Sequence, residues 1–208
     1  MRLDPLEFND LLQALGQDIL WRRAFACPCT NPHSGAADPK CPLCLGKGRS
    51  WGAPVDGYAG MTGMSAKRAW AQFGVAELGD VVVTLPSDSP VYDIGQFDRV
   101  TMVNSSEPFS KTFTRGAGDV LRFSPTTIDR VYWIVSNAEV EGEIPDVDEN
   151  GAMTWASGGP ATGAVYNVTG RFRPEYFVFA DLSQDRAHQH GDALPRRVVL
   201  RKFDLYGR

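Results

Sequence analysis

The residues with the clearest chemistry are four cysteines in two close pairs, Cys27-Pro28-Cys29 and Cys41-Pro42-Leu43-Cys44, with eleven residues between the pairs. Each pair can bring two sulfurs to one point, and zinc takes four such ligands at the corners of a tetrahedron. Gly46 and Gly48 follow the second pair. A glycine there tolerates positive φ and lets the backbone fold back toward a metal. Pro28 and Pro42 stiffen the pairs and lower the entropy lost on closing them. Thr30-Asn31-Pro32-His33-Ser34-Gly35 reads as a turn, so the loop between the pairs can close. The spacing predicts one structural zinc held by Cys27, Cys29, Cys41 and Cys44. Two other arrangements use the same residues. One is a pair of disulfides, in which a Cys-x-Cys bridge would be strained. The other is free thiols, or a site in which His33 replaces one cysteine. A catalytic zinc is disfavoured, because it keeps an open position and usually carries histidine or carboxylate ligands.

Other chemistry-bearing residues are sparser. His188 and His190 flank Gln189 in a stretch that reads as a loop. Alternate histidines can bind a metal, but no convincing third ligand accompanies them. Asp146-Val147-Asp148-Glu149-Asn150-Gly151 matches the opening of a calcium loop. The twelfth position, where such a loop needs a bidentate glutamate, is Ser157. A plain hairpin is the expected structure, since Asn-Gly is a strong two-residue turn signal. The chain has no Gly-x-Ser-x-Gly elbow, no phosphate loop and no dinucleotide fingerprint. With three scattered histidines, no nucleophile–base pair can be assembled, and the sequence predicts that the protein is not an enzyme.

The elements that must position the cysteines follow from periodicity. Residues 4–20 are predicted to form an amphipathic helix, with Asp4 as cap, Pro5 in the first turn and Glu7 completing a capping box. Phe8, Leu11, Leu12, Leu15 and Ile19 make its apolar stripe, which either packs on its own domain or docks on a neighbouring subunit. Residues 21–52 lose helical periodicity and form the zinc-knuckle module, with residues 1–20 as the helix before it. Residues 53–208 are predicted to be one β domain, a small barrel or sandwich. Short apolar runs at Val81–Leu85, Phe97–Val103, Val120–Phe123, Val131–Val135, Val165–Val168, Tyr176–Phe179 and Val198–Leu205 are separated by turn residues. Six acids fall between residues 139 and 149, giving an acidic hairpin near 139–156.

The fold class is therefore mainly β, with an N-terminal helix and a zinc-stapled loop. Hydrophobic residues make up 43% of the 208, enough for a packed core. The net charge of −4 gives no general attraction to nucleic acid or to an anionic membrane surface. No signal peptide or membrane span is expected, so the protein should fold in a reducing cytoplasm where thiols stay available for metal. On that ground the sequons at Asn104 and Asn167 are chance matches. Residues 21–52 are locally basic, with Arg22, Arg23, Lys40, Lys47 and Arg49 against Asp38, and with Trp21, Phe25 and Trp51 nearby. Such a surface either binds nucleic acid or is a solvated loop that pairs with an acidic neighbour.

Cys41-x-x-Cys44-x-Gly46-x-Gly48 resembles the repeat of DnaJ-type chaperones, but one copy preceded by Cys-x-Cys shares the knuckle chemistry without the kinship. Two longer stretches are similar to neck proteins of tailed bacteriophages. One runs from Trp21 through Cys27-Pro-Cys29 and Asp38-Pro-Lys-Cys41-Pro-Leu-Cys44 to Gly46-Lys-Gly48. The other comprises Tyr166-Asn-Val-Thr-Gly170-Arg-Phe-Arg-Pro174-Glu-Tyr176 and Leu194-Pro-Arg-Arg-Val-Val-Leu200, and is similar to the closing strands of head-closure or stopper proteins. The chain is longer than typical stoppers, with the helix and the zinc module as additions. The resemblance implies a structural virion protein made in the host bacterial cytoplasm. It would form a homo-oligomeric ring at the head–tail junction, between portal or adaptor and tail proteins, with genomic DNA passing nearby and no membrane involved. The alternative function is a zinc-stapled nucleic-acid-binding module.

Overall fold

A computed structural model describes residues 5–61, 70–72, 74–148, 151–182, 188–189 and 191–206. The chain forms two compact units, one of residues 1–104 with 175–208 and one of residues 105–174. The span 53–208 is thus shared between both.

In the first unit, helix α1 (Pro5–Leu15) leads into β1 (Gln17–Arg22). The helix does not reach residue 20. The Gly16 amide donates to the Leu12 carbonyl at 2.7 Å, and a Cβ on Gly16 would stand 2.3 Å from that oxygen. The chain then leaves extended, and Ile19 enters the core from a strand. The predicted cap Asp4 lies outside the described residues. The helix packs with Asn9, whose side chain exchanges hydrogen bonds with the Ser87 hydroxyl (2.9 Å) and amide (3.1 Å), and with Leu12, which occupies the space a side chain on Gly60 would need. Phe8, Leu11 and Leu15 of the same stripe are exposed by 41, 51 and 76%.

After β2 (Ala24–Ala26) and β3 (Arg49–Trp51) come β4 (Val55–Met61), β5 (Val81–Leu85) and β6 (Arg99–Met102). The second unit supplies β7 (Glu107–Thr114), β8 (Pro125–Val135), β9 (Ala138–Gly142), β10 (Asp146–Val147), β11 (Met153–Thr154) and β12 (Val165–Phe172). The chain returns to the first unit with β13 (Glu175–Leu182), the short pair β14 (His188–Gln189) and β15 (Asp192–Ala193), and β16 (Arg196–Lys202). Val120–Phe123 is not a strand. It makes one bridge, Val120 to Ala152, and buries Leu121.

Strands β1-β4-β5-β16-β13-β6 close an antiparallel barrel in that order. Alternation fills it. Ile19 and Trp21, Val83 and Leu85, Val198 and Leu200, and Val100 and Met102 point inward in pairs two apart. Val82 and Val199 point the other way and are covered by Trp70, so this wall is apolar on both faces. The turn Pro90–Asp93 lays Val91 against β4, where a Cβ on Gly57 would meet Val91 Cγ1 at 2.4 Å. Asp80 anchors this side, accepting hydrogen bonds from Trp70 Nε1 (3.0 Å), the Glu77 amide (3.0 Å) and Arg201 (2.9 and 3.0 Å).

The second unit is built on the sheet β7-β12-β8-β9. One face carries Val131, Tyr166 and Val168 onto Leu121 and Met153, with Phe109, Phe113 and Trp133 packed against them. The opposite face carries Arg130, Tyr132 and Ile134 of β8 and Glu139 and Glu141 of β9, and Arg130 bridges both glutamates. The β8–β9 turn, Ser136-Asn137, has positive φ at both residues, as a two-residue hairpin of type I′ requires. The acids of 139–149 are therefore split. Glu139 and Glu141 sit on β9, whereas Asp146 and Asp148 open the small β10–β11 hairpin, in which Asp148 accepts the Ala152 amide at 2.8 Å. Asn150 of the predicted turn lies outside the described residues, and Gly151 has φ +81°.

Candidate metal centre

The cysteine loop is carried on a stem. Strands β2 and β3 pair Ala24 with Trp51, Phe25 with Ser50 and Ala26 with Arg49, and the Cys27 amide continues the ladder to the Gly48 carbonyl at 2.9 Å. Above the stem no regular element holds the chain, and local hydrogen bonds take over. Thr30 N donates to Cys27 O (3.0 Å), which turns the first knuckle. The Asn31 carboxamide oxygen accepts the His33 and Ser34 amides, which makes the intervening turn. Asp38 accepts the Lys40 amide through its carboxylate and the Cys41 amide through its carbonyl, which starts the second knuckle. Leu45 N donates to Cys41 O and Lys47 N to Cys44 O. Gly46 and Gly48 adopt φ of +80° and +73°, the reversal expected of them.

The four sulfurs converge. Cys27 Sγ lies 3.7 Å from Cys41 Sγ, Cys29 Sγ lies 3.5 Å from Cys44 Sγ, and all four fall within 4.8 Å of one another. A tetrahedral zinc with Zn–S of about 2.3 Å places its sulfurs about 3.8 Å apart, so the set fits a metal of that size. The thiols are free, and the S···S separations far exceed a disulfide bond of about 2.05 Å. Cys27, Cys41 and Cys44 are buried, and their apolar cluster contains only cysteines. The group could bind a metal ion with every ligand a sulfur, leaving no position for a substrate. His33 is exposed and outside the cluster.

The sulfurs are not equivalent. Burial opposes ionisation of Cys44, but the Gly48 amide at 3.3 Å and the three neighbouring thiols donate to it and hold it down at about 7. At Cys29 a backbone hydrogen bond at Asp38 opposes the shift, yet burial and the neighbouring thiols push it up to about 12. The raised thiols of Cys27 and Cys29 hold their protons at neutral pH. A metal ion bound there would displace them, so its binding would tighten as pH rises.

Two devices fasten the module to the barrel. The first is Asp98, 3% exposed, which accepts Trp21 Nε1 (2.7 Å), the Gly95 amide (2.8 Å) and, from the start of the stem, the Ala24 amide (2.7 Å). The second is an aromatic cluster. Trp51 donates Nε1–H to the Phe97 carbonyl at 3.1 Å and meets Phe203 and Tyr206 edge-on at 5.1 and 5.7 Å. Arg49 lies 4.0 Å over the Phe97 ring, Lys47 lies over Phe203 and Tyr206, and Arg99 lies 4.2 Å over Phe203 while pairing with Glu175. Burial lowers the Arg22 pKa, and Arg99 nearby adds to this. The basic residues of 21–52 thus divide. Arg22 is half-buried and reaches Thr101 at 3.3 Å, Lys47 and Arg49 lie over rings, and Arg23 and Lys40 are exposed. Sequence reasoning missed Asp98 and the C-terminal aromatics Phe203 and Tyr206. The two aromatics had one sequence signal, a C-terminus dense in aromatic and basic residues, and Asp98 had none.

His188 lies in the β14–β15 pair and His190 outside the described residues; among the described residues no group of metal-ligating side chains gathers there. No described helix is long and apolar enough to cross a membrane. No family model matches the chain, and no curated protein matches it significantly.

Proposed function

We propose that this chain is a structural subunit of a tailed-phage particle, a ring component of the head–tail neck whose cysteine module is held by one zinc ion. The observation that carries the reading is a closed barrel whose attachments hold several apolar side chains away from its core. Helix α1 keeps Phe8, Leu11 and Leu15 outward, and the knuckle keeps Leu43 and Leu45 outward, by 63 and 65%. Apolar side chains held in solvent on rigid supports suit an assembly subunit that buries them against neighbours. The resemblance of Trp21–Gly48, Tyr166–Tyr176 and Leu194–Leu200 to neck proteins points the same way. Zinc is favoured over iron because a redox-inert ion serves a purely structural four-thiolate site.

In this reading the barrel is the ring body, α1 and the knuckle reach adjoining rings, and the acids of 139–149 lie near the channel, where negative charge repels sliding DNA. The alternative, a nucleic-acid-binding module, is supported by the basic residues of 21–52, but Lys47, Arg49 and, at 6.0 Å, Arg23 lie over rings, which leaves Lys40 foremost for phosphates. A particle reconstruction tests the reading. Density for this chain in a neck ring supports it, and density elsewhere, or a monomer bound along DNA, overturns it. Elemental analysis should give one zinc per chain in a colourless protein. A metal-free protein or one iron per chain would refute the zinc.

A further inference from the structure

Leu45 stands out on the knuckle. It is held at φ +50°, a left-handed conformation that glycine adopts freely and leucine does not. Its side chain is 65% exposed, and that of Leu43 beside it 63%, so neither contributes to the module's own interior. A glycine at position 45 would relieve the backbone, and the fold gains nothing visible from the leucine. Strain of this kind persists where the side chain has another use. The surroundings say what that use requires. Lys40 on the same loop is exposed, Arg23 lies at the stem, and among the described residues neither takes part in a salt bridge. The knuckle therefore presents two leucines beside positive charge and is suited to an apolar surface bordered by acids.

The second unit carries such a surface. On the outward face of its sheet Ile134 is 73% exposed, and Val165, one residue beyond the Tyr166–Trp133 pair of β12 and β8, is 60% exposed. Glu139 is directly opposite Ile134, and Glu141 follows two residues on. One arginine, Arg130, serves both carboxylates, so the patch stays negative. We infer that Leu43 and Leu45 of one copy dock on the Ile134–Val165 patch of the next copy, with Lys40 facing Glu139 and Glu141. Two different patches on each subunit make a head-to-tail contact, the kind that closes into a ring when the rotation is right. This inference rests on the ring reading and names its subunit contact.

The test measures self-association of the zinc-loaded full chain by light scattering over a range of protein concentrations. Leu45→Gly should keep its zinc and its thermal stability yet weaken association at least tenfold. A knuckle leucine with a merely structural role would show the reverse. Lys40→Glu and the double change Glu139→Lys with Glu141→Lys should each weaken association, and a chain carrying all three should recover it. Wild-type rings that Leu45→Gly leaves untouched would overturn the contact while the ring reading stands. A wild type that stays monomeric throughout would sink both. If Lys40→Glu abolished binding to duplex DNA and left association unchanged, the knuckle would be a phosphate-binding surface and the contact would be refuted.

Discussion

Removing the metal should melt the module and leave the barrel folded. The loop from Cys27 to Gly48 has no apolar core except its own sulfurs, and below it the stem has three residue pairs. The metal would cross-link Cys27 to Cys41 and Cys29 to Cys44, fourteen and fifteen residues apart. Closing one loop of about 15 residues is worth about 3 kcal/mol through the unfolded chain alone. At about 1.4 kcal/mol per tenfold, that is roughly a hundredfold in the opening equilibrium. It is a lower bound, because ligand bonds bring structural zinc to on the order of 10 kcal/mol. Lys40 and Lys47 lie inside the loop, so trypsin reads the opening directly. When reclosing outpaces cleavage, the cutting rate follows the open population. Chelation, or Cys41→Ser, should therefore speed cleavage after Lys40 or Lys47 about a hundredfold or more. The far-UV circular dichroism of the strands should persist, since the barrel has its own core. Trp51 fluorescence should change, because its partners Phe203 and Tyr206 also contact Lys47 of the loop. A cleavage rate that rose less than threefold would refute the assignment of the metal as the module's core.

Other outcomes follow from single contacts. Asp98→Ala leaves three donors without their acceptor, one buried and two half-buried; a buried unsatisfied donor costs about 1–3 kcal/mol, and urea denaturation should show a loss of about 2 kcal/mol or more. At Asp80 burial opposes ionisation, but Arg201, the Glu77 amide and the Trp70 indole hold the carboxyl below its usual range. A folded pKa below the unfolded one stabilises above about pH 4 and loses that contribution as pH falls through the lower folded value. Asp80→Asn should therefore be less stable than wild type at pH 7, with the gap narrowing below pH about 4, as followed by urea midpoints. Leu12→Asp should lower the melting temperature, because Leu12 fills the space above Gly60, whereas Leu11→Asp and Leu15→Asp should leave it nearly unchanged and impair assembly.

The parts legible in the sequence are those whose cause is local. Cysteine spacing, the two knuckle glycines and the apolar runs of β5, β8, β12, β13 and β16 all work within a few residues. The end of α1 was misread because Ile19 keeps the helical spacing of Leu12 and Leu15, and Gly16, the residue that stops the helix, was passed over. Strand β4 was hidden by Gly57 and Gly60, which are there for Val91 and Leu12 and have no side chain to mark a strand. Strand β7 was hidden by its polar outward residues between Phe109 and Phe113. The division into two units was not legible, because the barrel closes between β6 and β13 and the strands that meet there are separated by the entire second unit. Nor could the sequence show that Arg49 and Lys47 are occupied by rings from distant parts of the chain.

That closure makes the second unit an excursion from a finished object. The chain leaves the barrel at Asn104 and comes back at Glu175, and these ends belong to strands already hydrogen-bonded to each other, Thr101 opposite Glu175. A tight turn in place of Ser105–Pro174 would convert β6 and β13 into an ordinary hairpin without breaking a rung of the barrel. Evolution can therefore lengthen, exchange or delete the excursion while the chassis, with its helix and knuckle, is inherited intact. The same gap is a cassette for engineering, in which a foreign domain with neighbouring termini could be displayed from the barrel wall.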